Sequence, residues 1–107
     1  MENLVRVLLK VTFGIEKFNA AVTAGKVDSM LGSILADLKP EATYFVALGG
    51  KRTGLFFVNI DEPSQMVRLA EPFFLGFDAD VEFLPAMTPE DLAKAGPDFE
   101  RVAKTYA

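Results

Sequence analysis

Four stretches of this chain alternate as strands do, and each is apolar on both of its faces. From Leu4 to Phe13 the odd positions Val5, Val7, Leu9, Val11 and Phe13 are uniformly apolar, while Arg6, Lys10 and Thr12 punctuate an even face that still holds Leu4 and Leu8. Thr43–Leu48, Thr53–Ile60 and Ala79–Met87 read the same way. Helical periodicity fills the gaps between the first and second strands and between the third and fourth. Two helical segments cover one face of a four-stranded sheet, so the other face needs a partner.

The helical segments are legible in some detail. Ile15, Phe18 and Val22 fit one stripe, and Val27, Met30, Leu31, Ile34, Leu35 and Leu38 fit another. The two are out of phase across Gly25, which predicts a short helix, a break, and a main helix ending at Lys39-Pro40. Gly49-Gly50-Lys51-Arg52 joins the middle strands. A type II′ turn at Gly50-Lys51 sets Leu48 opposite Thr53, Val46 opposite Leu55 and Tyr44 opposite Phe57, with Phe45 and Phe56 on the opposite face. The next helix starts between Asp61 and Ser64, with Pro63 in its first turn, and turns Met66, Leu69, Ala70, Phe73 and Phe77 inward. Pro72 lies within that stripe and predicts a kink or restart. Val67 and Phe74 lie off it and suggest a further contact, with the C-terminal helix or with another dimer. Pro85 predicts an edge strand. Thr88-Pro89-Glu90-Asp91 opens another helix, which Gly96-Pro97 ends, and Phe99, Val102 and Tyr106 fit one last amphipathic stretch.

The 107 residues form one domain, a βαββαβ core over 1–87 and a helical extension over 88–107. With the first and third strands central, one face collects Val5, Val7, Leu9, Val11, Phe45, Phe56, Val58, Ile60, Val81 and Phe83 and takes both helices. The other collects Leu4, Leu8, Tyr44, Val46, Leu48, Leu55, Phe57 and Leu84. Eight large apolar side chains are too many for a monomer to leave open. Two copies packed sheet to sheet bury them, so the expected assembly is a homodimer through the non-helical face. A hydrophobic content of 50% and a mean hydropathy of +0.25 agree with that.

The element order resembles the dimeric α/β-barrel superfamily of ferredoxin-like folds, an α+β class with an antiparallel sheet. More narrowly, Leu38-Lys39-Pro40-Glu41-Ala42, Lys51-Arg52-Thr53-Gly54, Ala70-Glu71-Pro72-Phe73 and Val81-Glu82-Phe83 running on to Met87-Thr88-Pro89-Glu90-Asp91-Leu92 are similar to an uncharacterised family of small bacterial proteins. The likeness spans most of residues 15–96 and carries no known chemistry. The wider superfamily includes cofactor-independent and haem-degrading monooxygenases, muconolactone-type isomerases and haem peroxidases. Their functional residues do not transfer one by one, and the haem branches need a histidine that is missing from this sequence.

With no Cys and no His, the chain has no thiolate nucleophile, no zinc site of the usual kind, no histidine-ligated haem and no Ser-His-Asp triad. No carboxylate spacing resembles a calcium loop. The expectation is no metal and no cofactor. A net charge of −4 argues against nucleic acid. No apolar run approaches a membrane span, and Met1-Glu2-Asn3 lacks the start of a signal peptide, so the expected setting is cytoplasmic.

Candidate chemistry concentrates where polar groups interrupt the non-helical face. Arg6 and Lys10 are candidates to hold a carboxylate or enolate, and Glu82 or Tyr44 to move a proton. Asn59 and Thr53 project to the same side, and Glu71, beside Pro72, is a candidate at the pocket mouth. The plainer reading of Glu82 is a cross-strand ion pair with Arg6 or Lys10. The chain therefore reads as a protein that binds or converts a small metabolite without metal or haem, isomerase- or monooxygenase-like, with one cleft per subunit between helices and sheet. The alternative is a non-catalytic ligand-sensing or protein-interaction module. The two separate on whether Arg6, Lys10, Tyr44 and Glu82 surround a cavity or are spent on each other.

Overall fold

A computed structural model describes residues 4–107; the reading of the first three residues lies outside them. The chain runs β1 (Val5–Thr12), α1 (Ile15–Thr23), α2 (Val27–Leu38), β2 (Ala42–Leu48), β3 (Lys51–Ile60), α3 (Gln65–Phe77), β4 (Asp80–Pro85), α4 (Pro89–Lys94) and α5 (Gly96–Tyr106). The four strands form one antiparallel sheet in the order β2-β3-β1-β4. This α+β arrangement is compatible with a ferredoxin-like fold. β4 is an edge strand, where Pro85 costs no interior ladder bond.

The helical face of the sheet is the core. Val7, Leu9, Val11, Phe56 and Val58 are buried there against Ala21 of α1, Ile34 and Leu38 of α2, and Leu69, Phe73 and Phe77 of α3. Aromatic rings tie these layers together. Phe13 meets Phe18 and Phe77 edge-on at 5.0 Å between centroids, and Phe73 lies 5.1 Å from Phe56. Edge-to-face contacts add about 0.5–1.5 kcal/mol each beyond their burial. Gly14 allows β1 to turn into α1 beside α3. A methyl group there would lie 2.5 Å from the Phe77 carbonyl oxygen, which also accepts the Gly14 N–H at 2.9 Å.

Five details correct the sequence reading. The hairpin turn is Gly49-Gly50, with φ of 60° and 76°, because a two-residue turn of this hand needs left-handed backbone at both central positions and only glycine takes it freely. Leu48 therefore opposes Lys51, Val46 opposes Thr53 and Tyr44 opposes Leu55, a shift of two residues that leaves every side chain on its expected face. In α1 only Phe18 of the stripe of Ile15, Phe18 and Val22 packs against the core; Ile15 and Val22 are exposed, and Ala21 is the buried residue. α3 is capped at Ser64, and Pro63 precedes it, in a turn closed by Gln65 Oε1 accepting from the Asp61 N–H at 2.9 Å. α3 itself continues through Pro72 without a restart. Met66 of its expected inward stripe is exposed.

The break between α1 and α2 falls at Gly25 as the phase change requires, and α2 ends at Lys39. α4 begins in a complete capping box, Thr88 Oγ1 accepting from the Asp91 N–H at 3.1 Å and Asp91 accepting from the Thr88 N–H at 3.0 Å. The radius of gyration is 17.3 Å, against roughly 13 Å for a compact chain of this length, and the longest dimension is 59 Å. α5 follows α4 after Ala95 alone and is exposed from Pro97 to Tyr106.

Candidate functional site

The strand register turns the non-helical face into a grid. One row across the sheet is Val46, Thr53, Thr12 and Asp80; the next is Tyr44, Leu55, Lys10 and Glu82; the third is Ala42, Phe57, Leu8 and Leu84; the fourth holds Asn59 and Arg6. An apolar row thus separates two polar ones. Leu4, Tyr44, Val46, Leu48 and Leu84 are exposed, and Leu8, Leu55 and Phe57 are half-buried. Thr53 is buried, its hydroxyl donating to the Lys51 carbonyl at 3.1 Å.

Arg6 and Lys10, the basic groups of the central strand on this face, each have a carboxylate. Lys10 Nζ lies 3.8 Å from Glu82 Oε1, directly across the β1–β4 ladder. The Arg6 guanidinium makes a two-pronged contact with Glu41, Nε donating to Oε1 and Nη2 to Oε2, and lies 3.9 Å from Asp91 Oδ2. The hydrogen bond from Arg6 holds the Glu41 carboxyl below its ordinary value, with a smaller contribution from Asn59, and Glu41 in turn raises Arg6. Asp91 is also lowered, first by the Thr88 backbone N–H and then by its side chain. Both acids are therefore committed anions at neutral pH. A carboxylate so held is a poor proton donor or acceptor near pH 7.

Of the candidates, Arg6 and Asn59 share one cluster, and Lys10 and Glu82 form a pair. Tyr44 stands in the same row as that pair but on the far edge strand, roughly 14 Å from Glu82 at three strand spacings. Glu71 is on α3, on the other side of the sheet, and exposed. Glu41 was not among the candidates. The corrected hairpin register carries the chain just before β2 to the level of Asn59, beside Arg6, and that register was the signal able to find it.

A separate cleft of about 270 Å³ opens between the helical face and the start of α3. Val5, Val7, Ile60, Met66 and Phe83 line it, with the exposed Asp61 and Glu62 beside them. Its lining is almost wholly apolar, and none of the candidate residues on the opposite face reaches it. Among the described residues, no three carboxylates gather as metal ligands would, and no helix is long and apolar enough to cross a membrane.

Compared with protein-family models, curated proteins and solved structures, the chain matches none. Among the described residues, the fold and the geometry define an α+β protein with a helix-covered face, an open apolar face crossed by two ion-paired clusters, and an apolar cleft beside α3.

Proposed function

We propose that this chain is a small ligand-binding module that works as a homodimer, two copies packing their open sheet faces together as a dimeric α/β barrel. The observation that carries this is the open face itself, where an apolar row runs between ion-paired rows and Leu84, Tyr44, Val46 and Leu48 stay exposed among the described residues. Sheet-on-sheet packing is how such a face is buried, and a two-fold axis makes it self-complementary. The apolar cleft beside α3 is the seat for the ligand, a small and largely apolar molecule. A bacterial source is what the family resemblance implies, and a cytoplasmic setting follows from the sequence reading of its N-terminus and apolar runs.

Binding without turnover is the preferred reading because Arg6 and Lys10 are already engaged by Glu41, Asp91 and Glu82. Conversion of a metabolite without metal or haem is the second reading, favoured by Tyr44, Lys10 and Glu82 sharing one row. Native mass spectrometry of the gently purified full chain tests the first. The expected result is a dimer carrying a small apolar molecule; a monomer at micromolar concentration overturns it. Turnover that survives Glu82→Ala would remove the proton-transfer role from the second reading.

A further inference from the structure

A second cleft, of about 290 Å³, opens on the helical side of the sheet, where α1 and α2 meet the β2–β3 hairpin. It lies at the opposite end of β1 from the cleft beside α3. Phe13, Phe18, Leu31, Phe45 and Arg52 are among its walls. Phe45 opposes Gly54, which opposes the buried Val11, so the Phe45 ring stands on the helical side. β2 is an edge strand, and Phe45 is left 53% exposed on it. A methyl group on Gly54 would lie 2.6 Å from the Phe56 ring, so the glycine lets that ring settle over β3 and meet Phe45 edge-on, 5.8 Å between centroids. The cleft has an aromatic lip open to water.

Arg52 is the charged member of that lining, and it is held in place from α1. Its guanidinium lies over the Phe18 ring, 4.6 Å from the centroid, and Nη1 donates to Asn19 Oδ1 at 2.8 Å. Arg6 and Lys10 have carboxylates beside them, whereas among the described residues no carboxylate lies within 4.0 Å of Arg52. A guanidinium carries five N–H donors, and Asn19 takes one. The edge formed by Nε and Nη2 is left, and that edge matches the two oxygens of a carboxylate.

We infer that this cleft binds a small aromatic carboxylate, its ring against Phe45 and Phe13 and its carboxylate on Arg52. A neutral apolar ligand would leave the guanidinium without its anion, and a cation would meet a like charge. A bare inorganic anion would leave Phe45 in water. An aromatic acid satisfies both walls at once, with few polar contacts fixing its orientation as in small-molecule sites generally. The site is separate from the apolar seat beside α3 and does not rest on it. Pairing of the open faces leaves it accessible, because Phe45, Phe13 and Arg52 stand on the helical side.

Titration of the full chain with benzoate, followed by nuclear magnetic resonance, tests this. The expected result is saturable shifts of the Arg52 Nε–H and the Phe45 ring protons. Benzamide, which keeps the shape and loses the charge, should bind at least about tenfold more weakly, as loss of a charge-assisted pair requires. Arg52→Gln should weaken benzoate at least about tenfold, with circular dichroism confirming that the variant is folded. Arg52→Lys keeps the charge without the fork and should recover only part of the affinity. Lys51→Gln, which changes a neighbouring cation outside the cleft, should leave the affinity within about twofold. Absence of saturable shifts overturns the inference, as do equal affinities for benzoate and benzamide or an Arg52→Gln chain that binds as the parent does. Shifts confined to Val5 and Met66 would put the probe in the cleft beside α3 and overturn it as well, leaving the seat proposed there standing.

Discussion

Leu84→Asp is the most informative single perturbation of the open face. Leu84 sits at the β4 end of the apolar row, opposite Leu8, and is 41% exposed. Full burial of a leucine stabilises by about 1.5–3 kcal/mol, so the exposed fraction leaves about 1 kcal/mol per copy to be gained in the dimer. A two-fold axis doubles this to about 2 kcal/mol. A carboxylate in place of Leu84 also has to be desolvated, and the cations two residues either side of Leu8, Arg6 and Lys10, are already held by Glu41, Asp91 and Glu82. An uncompensated polar group costs about 1–3 kcal/mol more. With one such carboxylate on each copy the sum is at least about 4 kcal/mol, or at least about a thousandfold in the dimer dissociation constant. Sedimentation equilibrium across a concentration series reads it directly, with circular dichroism confirming that the dissociated chain keeps its fold. Leu84→Ala, which loses only the apolar part, should weaken the dimer by about thirtyfold. If both variants dimerise as the parent does, the non-helical face is not the interface.

Three further perturbations test the fold and its charges. Gly14→Ala sets a methyl group against two backbone oxygens, of Phe77 at 2.5 Å and Asp78 at 3.0 Å, which cannot swing aside; a loss of about 1–3 kcal/mol in urea titration is expected, and an unchanged midpoint refutes the close approach. Phe73→Ala empties the fully buried centre of the aromatic cluster between Phe13 and Phe56 and should cost about 3–5 kcal/mol, read as a much lower melting temperature. Glu41 has a lowered folded pKa, so its contribution is fully present above its ordinary 4.5 and is lost as pH falls through the lower folded value. Glu41→Gln should therefore flatten the fall in melting temperature below about pH 4.5, and an unchanged acid limb would show that the Arg6 pairing contributes nothing to stability.

The faces of the sheet were legible because strand side chains alternate with a period of two. A register error of two residues, the one made at the hairpin, moves no side chain across the sheet. It does move neighbours, and it concealed Glu41 by placing Asn59 opposite Ala42. The choice between Gly49-Gly50 and Gly50-Lys51 turned on backbone conformation, to which apolar periodicity is blind. The α1 stripe misled for a different reason. Ile15 and Val22 are large and apolar, yet the close approach to the sheet is made by the small Ala21, and size alone ranks it last. For α5, periodicity showed that Phe99, Val102 and Tyr106 need a partner; where that partner lies depends on the direction taken after Gly96, which no side-chain pattern encodes. Whether Arg6 and Lys10 would be free or paired was likewise a matter of register, since Lys10 opposes Glu82 only in the ladder actually formed.

The central position of β1 bears on how this chain is made. Of the four strands β1 is made first, yet both of its neighbours come later, β3 from the middle of the domain and β4 near the end of its core. Until Pro85 has emerged, Val7, Leu9 and Val11 have a ladder on one side at most. The nascent chain must carry the apolar face of β1 unpaired until β3 has been made, with the loop-closure cost of distant pairing still outstanding. Folding should therefore be slow for a domain of this size, and chains cut short before β4 should aggregate instead of folding.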